Sequence, residues 1–309
     1  MTRIALTSTL ALLAAPAMAA IEGPLVAPAD LEAELGSDIQ ILDIRAEGED
    51  GFAGGHIEGA VNAPYGLFRG PAENPGQIVP ADQLTETFRQ LGLETDQPVI
   101  VTYQGESVTD FGAAARVYWT LKSSGFDEIA ILNGGLTAWT EAGYALSTDA
   151  VQPEPSDITV TWDDSWTASV EDVQAAIDGE TDTTLVDARP ESFWNGQQSH
   201  AAAARPGTLP QSQYFVHSSW FSDGPTIIDA SAAQSLAEEN DLAGADGLIS
   251  FCNTGHWAAT NWFALSELAG AENVKLYPES MVGWSNAGYE MANVPGPLRS
   301  LWLNIKNTF

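Results

Sequence analysis

Gly247-Leu248-Ile249-Ser250-Phe251-Cys252-Asn253-Thr254-Gly255-His256-Trp257-Ala258-Ala259 reads as a strand, a turn and the start of a helix. The apolar run ends at Cys252, small and polar residues follow, and a helical pattern begins near Trp257. Cys252 is the one cysteine of the chain. This order puts a thiol at the floor of a loop whose backbone N–H groups can converge on it, beside a helix N-terminus. Both features favour a thiolate over a thiol. A lone cysteine makes no internal disulfide; it is either a buried inert thiol or a reactive one, and the loop context favours the nucleophile.

The same order of elements occurs earlier in the chain. Val99-Ile100-Val101-Thr102-Tyr103 matches the strand before Cys252, and Ile41-Leu42-Asp43-Ile44-Arg45 matches Thr184-Leu185-Val186-Asp187-Ala188-Arg189. Gly55-His56-Ile57-Glu58-Gly59-Ala60 pairs with Gly207-Thr208-Leu209-Pro210-Gln211-Ser212. The Tyr118–Leu121 stretch pairs with Trp262–Leu265, and Leu132–Trp139 pairs with Tyr277–Trp284. The offset is nearly constant and far longer than a solenoid period, so a whole domain is duplicated in tandem. Within each copy short apolar strands alternate with helical segments. That pattern predicts an α/β class with two domains, each a parallel sheet with helices on both faces. The expected boundaries are 25–148 for the first domain, 149–157 for a Pro-bearing linker and 158–297 for the second domain. A tail over 298–309 has helical apolar spacing that suits docking onto the body.

Met1-Thr2-Arg3, the apolar run Ile4–Ala15 and the small-x-small pattern Ala17-Met18-Ala19 predict a signal peptide over residues 1–19, and hence export to the periplasm. The run is too short to cross a bilayer. The chain has 309 residues, with 42 acidic side chains against 11 Lys plus Arg and a formal charge of −31. A surface this acidic argues against nucleic acid and anionic membranes as partners. It also makes any basic group beside an anion site conspicuous. Four scattered histidines and one cysteine show no metal-ligand spacing, and Gly134-Gly135 lacks the rest of a nucleotide loop, so neither metal nor cofactor is expected.

Four motifs in order, each with a matching stretch at the equivalent place in the other copy, resemble the rhodanese superfamily. They are Asp-x-Arg after a strand, Gly-His-Ile-x-Gly-Ala, strand-Cys-loop-helix and Leu-x-Gly-Gly-x-x-x-Trp. The match is to the two-domain thiosulfate and 3-mercaptopyruvate sulfurtransferases, from about Leu25 to Pro297. The resemblance implies that only the second copy is catalytic. Its Cys252 takes a sulfane sulfur from a small anionic donor, holds it as a persulfide and passes it to cyanide or a thiol. The first copy has Gln104 where the thiol should stand, with Glu106 and Asp110 nearby to repel an anion. It is expected to pack against the second domain and wall the cleft.

The residues support this chemistry on their own terms. Moving sulfur between two nucleophiles needs a group that both attacks and leaves well, and a thiolate does both. Amide donors from Asn253, Thr254, Gly255, His256, Trp257 and Ala258 can stabilise the charge it carries. Gly255 gives the loop a conformation that a side chain would hinder. A phosphatase on a related fold needs an arginine six residues after the cysteine; Ala258 stands there instead.

The resemblance also implies that Arg189 binds the donor's anionic end, against the alternative of a structural ion pair of the kind Arg45 suggests in the first copy. Asp187 is expected to order the turn. His256 either brings positive charge to the donor or faces solvent. Trp257 either walls the pocket or seats its helix, Met281 and Trp284 pack the core, and Arg205 is a second arginine near the Gly207 motif. The loop matches neither donor subtype of the family, and without a serine hydroxyl to act on a keto-acid it favours thiosulfate. The alternatives are a mercaptopyruvate sulfurtransferase, or a non-catalytic carrier that delivers persulfide sulfur to a periplasmic acceptor protein.

Overall fold

The computed structural model describes residues 23–149 and 151–296. The expected signal peptide and the tail over 298–309 lie outside the described residues. Two all-parallel sheets carry the chain. The first contains β1 (Leu25–Val26), β2 (Gln40–Asp43), β3 (Val61–Asn62), β4 (Val99–Thr102) and β5 (Ile129–Leu132) in the order β1-β5-β4-β2-β3. The second contains β6 (Thr183–Asp187), β7 (Gln213–Tyr214), β8 (Gly247–Phe251) and β9 (Val274–Leu276) in the order β7-β6-β8-β9. All five residues of β8 are buried. A central parallel strand covered on both faces is apolar throughout rather than alternating, which explains its continuous run.

The helices of the first copy are α1 (Pro28–Glu34), α2 (Ala81–Gln90), α3 (Phe111–Ser123) and α4 (Gly135–Glu141). Those of the second are α5 (Val170–Ile177), α6 (Glu191–Trp194), α7 (Ala230–Glu239), α8 (Trp257–Phe263) and α9 (Ser280–Asn286). Local chemistry fixes several starts. Ser169 and Asp172 form a reciprocal capping box at α5, and the Asp229 carboxylate accepts the Ala232 N–H at the start of α7. Helix α8 runs on as a π-helical turn, Ala264–Leu268.

Register places the chemistry. Asp187 lies beside Phe251 across β6 and β8, so the Asp-x-Arg turn and the Cys252 loop leave neighbouring strand ends together. Such a carboxyl edge is where parallel α/β sheets bind ligands. The copies meet through the helices that follow these loops. Tyr118 and Phe111 of α3 meet the Phe263 ring of α8 edge-on at 5.1 and 5.3 Å. Tyr118 Oη and Lys122 Nζ both donate to the Glu267 carboxylate, at 2.9 and 2.8 Å. One buried apolar cluster runs through both copies, so they share a core rather than merely touching. The segment between them is a strap along α2. The Arg89 side chain donates to the Ile158 carbonyl at 2.8 Å, Val160 N–H donates to Thr85 Oγ1 at 3.0 Å, and Ile158 and Val160 are buried.

Candidate active site between the two domains

β8 delivers Cys252 to the interface, where the residue is 1 % exposed. Its own N–H donates to Ser280 Oγ at 3.0 Å, and that hydroxyl donates to the Tyr277 carbonyl at 2.7 Å. The Cys252 and Asn253 carbonyls accept from Met281 N–H and Val282 N–H at 3.1 and 3.0 Å. The loop is thereby bolted to the first turn of α9. Ser280 does this from φ +50, a left-handed conformation that disfavours a side chain; its counterpart in the first copy is Gly135, at φ +61. The second copy carries a strained hydroxyl where the first carries a relaxed glycine.

The N–H groups of Asn253, Thr254, Gly255, His256, Trp257 and Ala258 donate to no acceptor among the described residues. Six successive open donors follow the thiol, and the last two belong to the N-terminus of α8. Gly255 sits at φ +68, and a Cβ there would lie 2.6 Å from the Pro278 carbonyl and collide with Arg116 Nη1. Here glycine is required twice, by backbone angle and by crowding.

Arg189 makes the buried ion pair of the structural alternative. Its Nε and Nη2 donate to Asp187 at 2.9 and 2.6 Å, Nη2 also donates to the Gly207 carbonyl at 2.9 Å, and Nη1 reaches Asn253 Oδ1 at 3.3 Å. Arg45 repeats this with Asp43, the Gly55 carbonyl and Gln104. The duplicated Asp-x-Arg motif is a buried ion pair that ties a strand end to the loop beside it. Thr208, in place of the motif histidine, donates to Asp187 Oδ2 at 2.6 Å. Arg205 is bound to the Tyr289 carbonyl and the Met291 sulfur and takes no part in the site. Met281 and Trp284 lie in the core of the second domain.

His256 is half-buried, and both of its ring nitrogens are taken up by the first domain. Its Nε2–H donates to the Thr109 carbonyl at 2.9 Å, which leaves Nδ1 to accept from the Tyr65 hydroxyl at 3.1 Å. Burial first, then Arg69, pushes its pKa down from 6.5 to about 4. The ring is neutral and stitches the domains together. Between pH 6.5 and about 4 the unfolded chain binds more protons at this histidine than the folded one. Its contribution to stability is therefore complete above 6.5 and is lost as pH falls through that window. The melting temperature should drop across the window, and His256→Gln, which cannot be protonated there, should flatten part of the drop. An identical pH profile in the variant would contradict this role.

Trp257 is half-buried and stacks face-on with His217, centroids 5.0 Å apart and planes 9° apart, with Phe193 edge-on at 5.8 Å. It belongs to an aromatic wall beside the loop. His217 Nδ1–H donates to the Ala188 carbonyl at 3.0 Å.

Two guanidinium groups reach this loop from the first domain, and no motif in the sequence pointed to them. Arg69 Nη2 donates to the Thr254 carbonyl at 2.9 Å. Arg116, on α3, donates to the Gly255 carbonyl at 3.4 Å and the Gly76 carbonyl at 3.0 Å. Burial, then the charge of Arg69, lowers the Arg116 pKa to about 9, which still leaves it cationic at neutral pH; Tyr65 and Cys252 act in the opposite direction. One signal was available: Arg116 is a lone charge in Phe111-Gly112-Ala113-Ala114-Ala115-Arg116-Val117-Tyr118-Trp119, an otherwise apolar helix.

Comparison with known proteins places this geometry. The rhodanese-like domain family matches residues 27–142 and again 169–287. SseB of Mycobacterium tuberculosis (strain ATCC 25618 / H37Rv), provisionally named a thiosulfate sulfurtransferase, is 28% identical over 82% of this chain and 90% of its own. The thiosulfate sulfurtransferase of Azotobacter vinelandii is 27% identical over 85% of this chain and 94% of its own. The crystal structure of SseA from Escherichia coli, a 3-mercaptopyruvate sulfotransferase, superimposes with a TM-score of 0.72 at 24% identity, covering 83% of this chain and 98% of that one. With both copies matched and the fold shared, the chain belongs to the rhodanese family as a tandem two-domain member.

Proposed function

We propose that the protein is a sulfurtransferase that moves sulfane sulfur from thiosulfate to cyanide or a thiol through a persulfide on Cys252. The observation that carries this reading is the lone cysteine at the head of six open amide donors. In the first half-reaction the Cys252 thiolate attacks the outer sulfur of thiosulfate. The new Cys–S–S⁻ bond forms as the S–SO3 bond breaks, and its electron pair leaves with sulfite. In the second, cyanide attacks the outer persulfide sulfur, thiocyanate departs and the thiolate returns; a thiol acceptor would leave as its own persulfide. The six amides are open donors that a persulfide anion on Cys252 can use, so one site can stabilise the charge carried through both halves. The relatives named thiosulfate sulfurtransferase support the donor class. Burial of the thiol supports a small donor and acceptor over a protein-borne one.

Steady-state kinetics test this. Thiosulfate and cyanide should give parallel double-reciprocal lines, the pattern of a two-step displacement. A protein that takes up one sulfur and then fails to turn over would be a carrier instead. If mercaptopyruvate is turned over and thiosulfate is not, the donor assignment is wrong. We place this activity outside the cytoplasm on the strength of residues 1–19. Cell fractionation checks the assignment: the mature chain should be found in the periplasmic fraction.

A further inference from the structure

The site as drawn from the second domain alone is short of positive charge. Asn253 follows the cysteine, Ala258 stands sixth after it, Arg189 is consumed by Asp187 and His256 is neutral. A donor carrying two negative charges must nevertheless approach a thiolate inside a chain of formal charge −31. Amide dipoles alone oppose that repulsion weakly.

Arg69 and Arg116 supply what is missing. No carboxylate lies within salt-bridge distance of either among the described residues, although the chain has 42 acidic side chains to offer. Arg69 Nη1 and Arg116 Nε are also the arginine nitrogens that are buried with no acceptor among the described residues. Arg116 is 1 % exposed. A buried guanidinium without a counter-ion is costly, and a fold keeps one where an anion will complete it. Both guanidiniums are bound to the Cys252 loop itself, Arg69 at the Thr254 carbonyl and Arg116 at the Gly255 carbonyl. Each guanidinium has one buried, unpaired donor, but Arg69 is half-buried as a residue, whereas Arg116 is enclosed behind Gly255.

We propose, on the sulfurtransferase reading above, that the first domain completes the active site. Arg69 is the residue that touches the oxyanion end of the donor, and Arg116 is a positioning residue whose fixed charge balances the loop from behind. The sulfonate oxygens of thiosulfate are held by Arg69 while its outer sulfur is delivered to Cys252. The negative charge that leaves with sulfite is the charge Arg69 was holding. The inactive copy therefore does more than wall the cleft: it provides the cations that the catalytic copy lacks.

The test compares wild type with Arg69→Gln and Arg69→Lys, using thiosulfate as donor, cyanide as acceptor and sulfite as product inhibitor. Loss of a charge-assisted hydrogen bond should lower kcat/KM for thiosulfate roughly 10- to 100-fold in Arg69→Gln. Sulfite inhibition should weaken in step, and Arg69→Lys should recover part of both. A residue that only braces the loop would not make sulfite affinity follow side-chain charge. Melting temperatures identify any variant that has lost its fold. If Arg69→Gln leaves kcat/KM and sulfite inhibition unchanged while Cys252→Ser still abolishes sulfur uptake, the arginine assignment fails and the sulfurtransferase reading stands. If wild type takes no sulfur from thiosulfate, the failure lies with the reading beneath it, and the arginine assignment falls too.

Discussion

Alanine at position 255 will reduce sulfur transfer on the order of a hundredfold, because the new methyl group displaces the loop that holds the thiol. At φ +68 a side chain costs about 1–2 kcal/mol in backbone strain alone. The added Cβ would also lie 2.6 Å from the Pro278 carbonyl and press on the Arg116 guanidinium, neither of which is free to retreat. Arg116 is held on its far side by the Gly76 carbonyl, and Pro278 belongs to the turn that leads into α9. The strain can be relieved only by moving the Cys252 loop or by parting the domains. Donor kinetics and the melting temperature of Gly255→Ala should therefore both fall. A variant with normal transfer would mean that the amide cradle tolerates a different loop path.

The second large effect concerns stability. Asp187 is fully buried and accepts from Arg189 N–H, Nε and Nη2 and from the Thr208 hydroxyl. Asp187→Ala strands a buried guanidinium, a change that costs about 3–5 kcal/mol. Asp43→Ala should behave similarly in the first copy, where Arg45 makes the same contacts around a loop without a thiol. The comparison is the informative part. If the motif arginine bound the donor, Asp187→Ala would raise KM with little loss of stability, and Asp43→Ala would be the milder change. Urea midpoints that fall together in the two variants are the expected outcome.

The fold was legible in the sequence because its evidence is repetitive and local. An apolar strand ending in Asp-x-Arg, a strand ending in Cys or Gln, and a turn before a Trp-bearing helix each follow from neighbouring residues, and each occurs twice. The thiol loop was legible for the same reason, since strand, turn and helix N-terminus lie within one short stretch. The family resemblance gives Arg189 a substrate role, and in the structure its own sequence neighbour two positions earlier pairs with it. Arg45 was the available warning. His256 misled because a histidine in a polar loop is solvated unless another segment covers it, and that cover, Tyr65 and Thr109, is far away in the chain. Arg69 and Arg116 were invisible to motif reading. They reach the loop only through the packing of the first domain on the second, Arg116 from α3 and Arg69 from the turn after Phe68, which no spacing within either copy reveals.

The most direct test of the account is the intact mass of the purified protein after exposure to thiosulfate, followed by peptide mapping. One added sulfur atom is expected, located on Cys252, removed by cyanide and absent in Cys252→Ser. An unchanged wild-type mass, or a sulfur that still appears when Cys252 is serine, would contradict it.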